Sequence, residues 1–199
     1  MKGHRHVPCI LVGCLAGLLL ITGCTRATGP VATPPAVPPS SESASGLLLP
    51  VPSDQVRRTY LGIDAPEEFS LTDIRAEVVL IEAFSMYCPH CQREAPNVNR
   101  LYRLITADPL LAEQVKMIGI GVGNTTYEVD TFRKRFDIPF PLFPDRSRQI
   151  ARQLEIRVTP TFVAFAHGSD GTLHPILHTS GSLGNVEDFL ALLLERANL

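Results

Sequence analysis

Cys88-Pro89-His90-Cys91 carries the most reactive chemistry in this 199-residue chain. Two cysteines separated by two residues serve either as a redox pair or as half of a zinc site. A closed zinc site takes four ligands. There is no second such motif, and beyond the N-terminal leader the histidines are His90, His167, His174 and His178. His174 and His178 fall four apart in a segment that reads as a strand, so a Cys2His2 site is open on spacing but poorly placed. The flanks favour the redox pair. An apolar run, Val78–Phe84, leads into the motif, and an amphipathic stretch follows it. Cys88 then starts a helix, where unpaired backbone amides favour an anion. The thiolate is the reactive form of cysteine, and such a position lowers its pKa. Cys91, one turn further in, is the more buried partner that closes the disulfide. Pro89 suits an early helical position. His90 either adds positive charge near the thiolate or is an ordinary exposed helix residue. A stabilised thiolate makes the disulfide more oxidising.

The elements that must position this pair read as alternating strands and helices. Residues 47–49 are an edge strand or a staple, residues 53–58 a helical turn, and residues 67–73 a hairpin or loop. The run at 78–84 is nearly all apolar, as in a strand covered on both faces. Glu82 is its sole charge, and burial would raise its pKa; an outward-facing edge position is the alternative. A helix is expected from Cys88 to Ala107, with Val98, Leu101, Tyr102 and Ile105 on one side and Pro96 interrupting or kinking it. Asp108-Pro109 marks a boundary. A strand at 116–122, a turn at Gly123-Asn124 and a helix at 126–136 follow. Residues 138–144 are extended, 147–154 a short helix, and 161–166 and 173–178 an antiparallel pair. The last helix begins near Asn185, with Val186, Phe189, Leu190 and Leu193 inward. This order argues for an α/β sandwich with mixed strands.

The N-terminus reads as an address. Lys2 and Arg5 precede an apolar run from residue 7 to 21 that ends at Thr22-Gly23-Cys24. That is the layout of a secretory signal, and the run is short for a membrane span, which needs about 20 apolar residues; an uncleaved anchor is the alternative. Residues 24–46 are rich in Pro, Ser, Thr and Ala and offer no packed face. Pro-rich chain extends about 3.1 Å per residue, so this stretch could hold a domain tens of Å from a membrane. The expected organisation is a signal at 1–23, a tether at 24–46 and a folded domain at 47–199. Cys9, Cys14 and Cys24 belong to the leader and its end, which argues against a disulfide-stapled scaffold. The net charge is -2, and loss of Lys2 and Arg5 with the leader takes it to about -4. Neither value points to nucleic acid.

Residues 82–91, Glu-Ala-Phe-Ser-Met-Tyr-Cys-Pro-His-Cys, resemble the active-site segment of the thioredoxin superfamily. From about residue 71 to 199 the chain resembles its periplasmic TlpA-like, cytochrome-c-biogenesis branch. The resemblance implies a thioredoxin-like fold, a central mixed β-sheet flanked by helices. It implies that Cys88 attacks, that Cys91 resolves, and that Glu82 lies beneath the pair and assists proton transfer. Val158-Thr159-Pro160-Thr161 matches the family's cis-proline loop, which implies a cis bond before Pro160, an isomer accessible before proline. Thr159 would then lie beside the disulfide, its backbone available to an extended substrate. Residues 130–153 resemble the insertion of TlpA-like and peroxiredoxin-like members. Tyr87 stands where tryptophan is usual. Pro89-His90 resembles the dipeptide of oxidising DsbA-type proteins, whose large helical insertion is missing here.

The function so implied is thiol–disulfide exchange with exported cysteine-containing proteins or apocytochromes, in the reductive direction, with a membrane redox partner and no metal or organic cofactor. Ile21-Thr22-Gly23-Cys24 resembles a bacterial lipobox, which implies a lipid on Cys24. Thr25 in place of aspartate resembles an outer-membrane address. Three alternatives stand beside this reading. One is a DsbA-like oxidase. Another is a peroxidase, on the resemblance of Ser85-x-x-Cys88 to the peroxiredoxin element, although Ile81 replaces its proline. The third is a copper-binding or chaperone module.

Overall fold

A computed structural model describes residues 40–199; the leader, Cys24 and the tether up to residue 39 lie outside the described residues. Helix α1 (Ser41–Ser45) lies within the stretch expected to offer no packed face, yet Ala44 is fully buried, as are Leu47 and Leu49 after it. One alanine and two leucines are enough to dock the end of the tether on the core. Strand β1 (Leu48–Pro50) is therefore not an edge of the main sheet. Helix α2 (Gln55–Leu61) is longer than a turn. The Asp54 side chain accepts from the Arg57 N–H at 3.0 Å, and Gly62 ends the helix at φ 66°, a conformation glycine adopts without a Cβ penalty. Strand β2 (Glu68–Ser70) pairs antiparallel with β1 in a separate two-stranded sheet.

After a 3-10 turn at Leu71–Asp73 comes β3 (Val78–Phe84), every residue of it buried. Helix α3 (Pro89–Ala107) follows, then α4 (Pro109–Gln114), β4 (Val115–Val122), α5 (Thr126–Arg135) and β5 (Leu142–Asp145). Helix α6 (Gln149–Gln153), β6 (Thr161–His167), β7 (Leu173–Ser180) and α7 (Val186–Ala197) complete the chain. The central sheet has the order β5-β4-β3-β6-β7. Strands β3, β4 and β5 run parallel, and β6 and β7 are antiparallel neighbours. One face packs Val78, Leu80 and Phe84 against Cys91, Ala95 and Val98 of α3, Phe132 of α5 and Phe189 of α7. The other packs Val79, Ile81 and Ala83 against Leu47, Leu49, Leu61 and Ala151. Among the described residues no helix is long and apolar enough to cross a membrane.

One expectation changes and another gains detail. Pro96 does not interrupt α3, which runs unbroken through it. Pro96 is exposed, so the carbonyl it leaves without a donor lies on the solvent side, where water can satisfy it. Asp108-Pro109 is a boundary that opens another helix: the Asp108 carboxylate accepts from Leu110 N–H at 2.8 Å and Leu111 N–H at 3.3 Å. That is the N-cap followed by proline at the first helical position.

Candidate active site

Strand β3 delivers the site by its own alternation. Residues 78, 80, 82 and 84 point to the α3 face, so Glu82 sits between Leu80 and Phe84 in the layer that holds Cys91. On β4 its neighbour is Gly119, on β6 Phe162. Glu82 is 1% exposed, and neither carboxylate oxygen has a hydrogen-bond partner among the described residues. Burial, and secondarily the charge of Glu94, pushes its pKa up to about 8.

The chain leaves β3 at Phe84, and Cys88 caps α3 with Pro89 at the first helical position. Its sulfur accepts from the Cys91 N–H at 3.4 Å and lies 3.2 Å from the Thr159 carbonyl, to which the thiol donates. Burial alone would raise the Cys88 thiol. Hydrogen bonding of the sulfur with the Thr159 side chain, with the Cys91 thiol and with the Cys91 and His90 amides outweighs it and holds the thiol below its ordinary range. Cys91 takes the opposite course. It is fully buried, and burial, reinforced by its hydrogen bond to Cys88, pushes its thiol up to about 12. Both cysteines are free thiols.

The Thr159–Pro160 peptide is cis, and it sets Thr159 against Cys88. The loop turns into β6 through Thr161, whose hydroxyl donates to the Val158 carbonyl at 2.8 Å. His90 and Tyr87 are exposed. Arg93 donates to His90 Nδ1 at 2.9 Å, so that nitrogen serves as an acceptor here. Tyr87 donates its hydroxyl to Glu128. The structure thus brings Cys88, Cys91, Thr159 and Pro160 together, with Glu82 beneath and Pro89, His90 and Tyr87 at the rim. His174 and His178 lie on β7, and the described residues contain no cluster of three or more His, Cys, Asp or Glu able to hold a metal.

Two residues escaped the sequence reading. Glu94, one turn after Cys91, is 6% exposed and accepts from the Leu183 N–H at 3.0 Å and from Asn97 Nδ2 at 3.3 Å. It acts electrostatically on Glu82 and lines a cleft with His90, Thr159 and Pro160. Its signal was its place in the buried stripe Cys91, Ala95, Val98. Asn124 reads as a turn residue but is fully buried. Its Oδ1 accepts from the Met86 N–H at 2.8 Å, which ties the loop before Cys88 to the end of β4.

Residues 53–174 match the model of the AhpC/TSA family. The thiol-disulfide oxidoreductase ResA of Geobacillus thermodenitrificans is 32% identical over 95 residues, 47% of this chain and 51% of that protein. ResA of Halalkalibacterium halodurans is 26% identical over 133 residues, 66% of this chain and 70% of the relative. The chain thus spans about half the length of the first of these relatives. Among solved structures, StoA of Bacillus subtilis aligns with a TM-score of 0.51 and 17% identity, over 80% of this chain and 99% of StoA. A secreted Mycobacterium tuberculosis disulfide oxidoreductase homologous to E. coli DsbE aligns with a TM-score of 0.52 and 16% identity, over 80% of this chain and 98% of that one. These likenesses give the thioredoxin-like fold.

Proposed function

The chain belongs to the AhpC/TSA family, and we propose that this member is an exported, membrane-tethered thiol–disulfide oxidoreductase working through Cys88 and Cys91. The observation that carries the reading is the placement of the two thiols: Cys88 half-buried at the cap of α3 with its sulfur accepting from the Cys91 N–H at 3.4 Å, and Cys91 fully buried one turn on. Cys88 is held below its ordinary range at a helix cap, and Cys91 is pushed up to about 12 one turn away. A low-pKa thiol attacks; a buried neighbour resolves. Cys88 thiolate attacks one sulfur of a substrate disulfide, a mixed disulfide forms, and the other substrate sulfur leaves as thiolate and takes up a proton. Cys91 then loses its proton and attacks the Cys88 sulfur, which releases the second substrate thiol. Two electrons pass from the dithiol to the substrate. Glu82 is the proton acceptor for Cys91, with Glu94 its link to the surface cleft.

The reductive direction rests on the scaffold, since only the six-residue α4 lies between α3 and β4. The proteins reduced are exported cysteine-containing proteins, apocytochromes among them, and a membrane dithiol partner resets the pair. Cys24 carries the lipid, residues after it form the tether, and the domain works outside the cytoplasm on an outer-membrane surface. Equilibrating the full chain with glutathione and dithiothreitol series gives the reduction potential of the pair. A value near about -270 mV supports a reductase, and one near about -120 mV makes the protein an oxidase. Absence of an intramolecular disulfide at any poise overturns both. Peroxide consumption that depends on Cys88 and outpaces disulfide exchange would move the protein to the peroxidase branch.

A further inference from the structure

Beside Cys88 lies an open groove of about 340 Å³. Val122 and Ile156, each 5% exposed, form its floor. Its walls are Tyr87 and Val158, 66% and 56% exposed, large apolar surfaces left uncovered on either side of the reactive sulfur. Arg148 and Arg157 also line it, and both are exposed. Their charges are largely uncommitted. Arg148 has no ion pair among the described residues, and Arg157 meets Glu155 only at 4.0 Å. The adjacent Arg146, by contrast, acts on Glu128. Arg148 adopts φ 59°, a backbone region uncommon outside glycine, with its side-chain stem over Gly123 at the end of β4. The Thr159 N–H on the groove's edge has no partner among the described residues.

Apolar walls, a free backbone donor and two cations beside one sulfur fit an extended peptide, not a bare thiol. Resting on the oxidoreductase reading above, we propose that this groove selects protein substrates whose reacting cysteine has an aspartate or glutamate within two residues. Arg148 and Arg157 are the specificity-determining residues. The substrate's extended backbone lies along Val158 and Thr159, its neighbouring side chain rests between Tyr87 and Val158, and its carboxylate meets the arginines. The redox step is unchanged: Cys88 sulfur bonds to the peptide sulfur, the departing thiol carries away the electron pair and takes up a proton, and Cys91 completes the two-electron transfer.

The test uses the reduced full chain and three peptides, each joined through its single cysteine to a neutral pyridyl thiol and differing only in the flanking residue: Asp, Asn or Lys. Release of thiopyridone gives the second-order rate constant. The expected order is Asp, then Asn, then Lys, with a spread of about tenfold at low salt that compresses at high salt. Arg148→Glu/Arg157→Glu should invert the order, which no general loss of folding can do, and Arg103→Ser, at the far end of α3, should preserve it. An unchanged order in the charge-reversed protein overturns the proposal while leaving the oxidoreductase reading intact. Oxidised glutathione showing the arginine dependence when the peptides do not overturns the assignment to protein substrates. No release from any peptide overturns the oxidoreductase reading itself.

Discussion

The rim and the underside of the cysteine pair are built from one helical turn yet impose opposite chemistry. At the rim, Cys88 is half-buried, faces backbone amides and the Thr159 loop, and stays below its usual pKa. Beneath it, Cys91 and Glu82 sit in the apolar layer between β3 and α3, where burial pushes both groups toward their protonated forms. Three residues of separation suffice because the N-terminal turn of a helix changes from a fringe of unpaired amides to a packed face within that distance. In the proposed mechanism the rim serves attack, and the underside keeps its protons until the resolving step needs them removed.

The strongest way to break this division is to remove one sulfur at a time. Cys88→Ser should lower exchange by at least about a thousandfold, because an alcohol at this position is a far weaker nucleophile than a thiolate. Cys91→Ser should leave the first step fast and accumulate the mixed disulfide, visible as a mass adduct with substrate. Adducts on Cys91 in the Cys88→Ser protein at comparable rates would erase the distinction between the two regions.

Glu82→Gln acts on the underside alone. If Glu82 takes the Cys91 proton, release of substrate should slow by about a hundredfold, the scale of one general base, with the first attack nearly unchanged. The pH profile gives the sharper reading. Glu82 titrates near 8 in the folded protein, so wild-type release should rise with pH through that value, and the variant should lack that rise. A loss of both steps in equal measure would assign Glu82 to packing instead.

The underside also carries a stability cost that pH exposes. The carboxyl of Glu82 is raised from 4.5 to about 8 on folding, so between those values the folded protein holds a proton that the unfolded chain has released. Stability from this group is therefore full below about pH 4.5 and falls as pH rises toward 8. Glu82→Leu removes the dependence. Its melting temperature should exceed that of wild type by a margin that widens from pH 5 to pH 8 and then levels, corresponding to a few kcal/mol at most. A constant margin across this range would mean that Glu82 is not held protonated by burial.

These two regions were not equally legible in the sequence. Val78–Phe84 announced a buried strand, and the lone Glu82 within it marked the underside, because a single charge in an all-apolar run is carried into the core with its neighbours. Cys88 and Cys91 were fixed by spacing and by the helix that follows. Glu94 was only half legible: its place in the stripe of Cys91, Ala95 and Val98 pointed inward, but a glutamate on an amphipathic helix ordinarily faces water, and only its bond to Leu183, 89 residues away, shows why it turns inward. Asn124 was hidden for the same reason, its partner Met86 being 38 residues distant. The packing of Ala44 against the core was masked by a composition that reads as tether. Asp108-Pro109 carries a local signal for a helix start as well as for a boundary, and the short helix α4 is where it leads. What left no trace was mostly long-range pairing of polar side chains, which has no periodicity.

Tyr87 offers the mildest test, because it lies at the rim but outside the sulfur chemistry. Its ring forms one wall beside Cys88, and its hydroxyl donates to Glu128, the residue that also completes the capping box of α5 with Thr125. Tyr87 is exposed and Glu128 only partly buried, where such a bond contributes little. Tyr87→Phe keeps the wall and loses the bond, so exchange with a neutral peptide disulfide should change by less than about twofold, and Cys88 alkylation should keep its pH midpoint. Tyr87→Ala removes the wall as well and should slow peptide exchange more than exchange with a small disulfide such as oxidised dithiothreitol. If Tyr87→Phe alone shifted the Cys88 midpoint, the hydroxyl contact would reach the sulfur through the loop that Asn124 holds, and the rim would have to be treated as one electrostatic unit extending to α5.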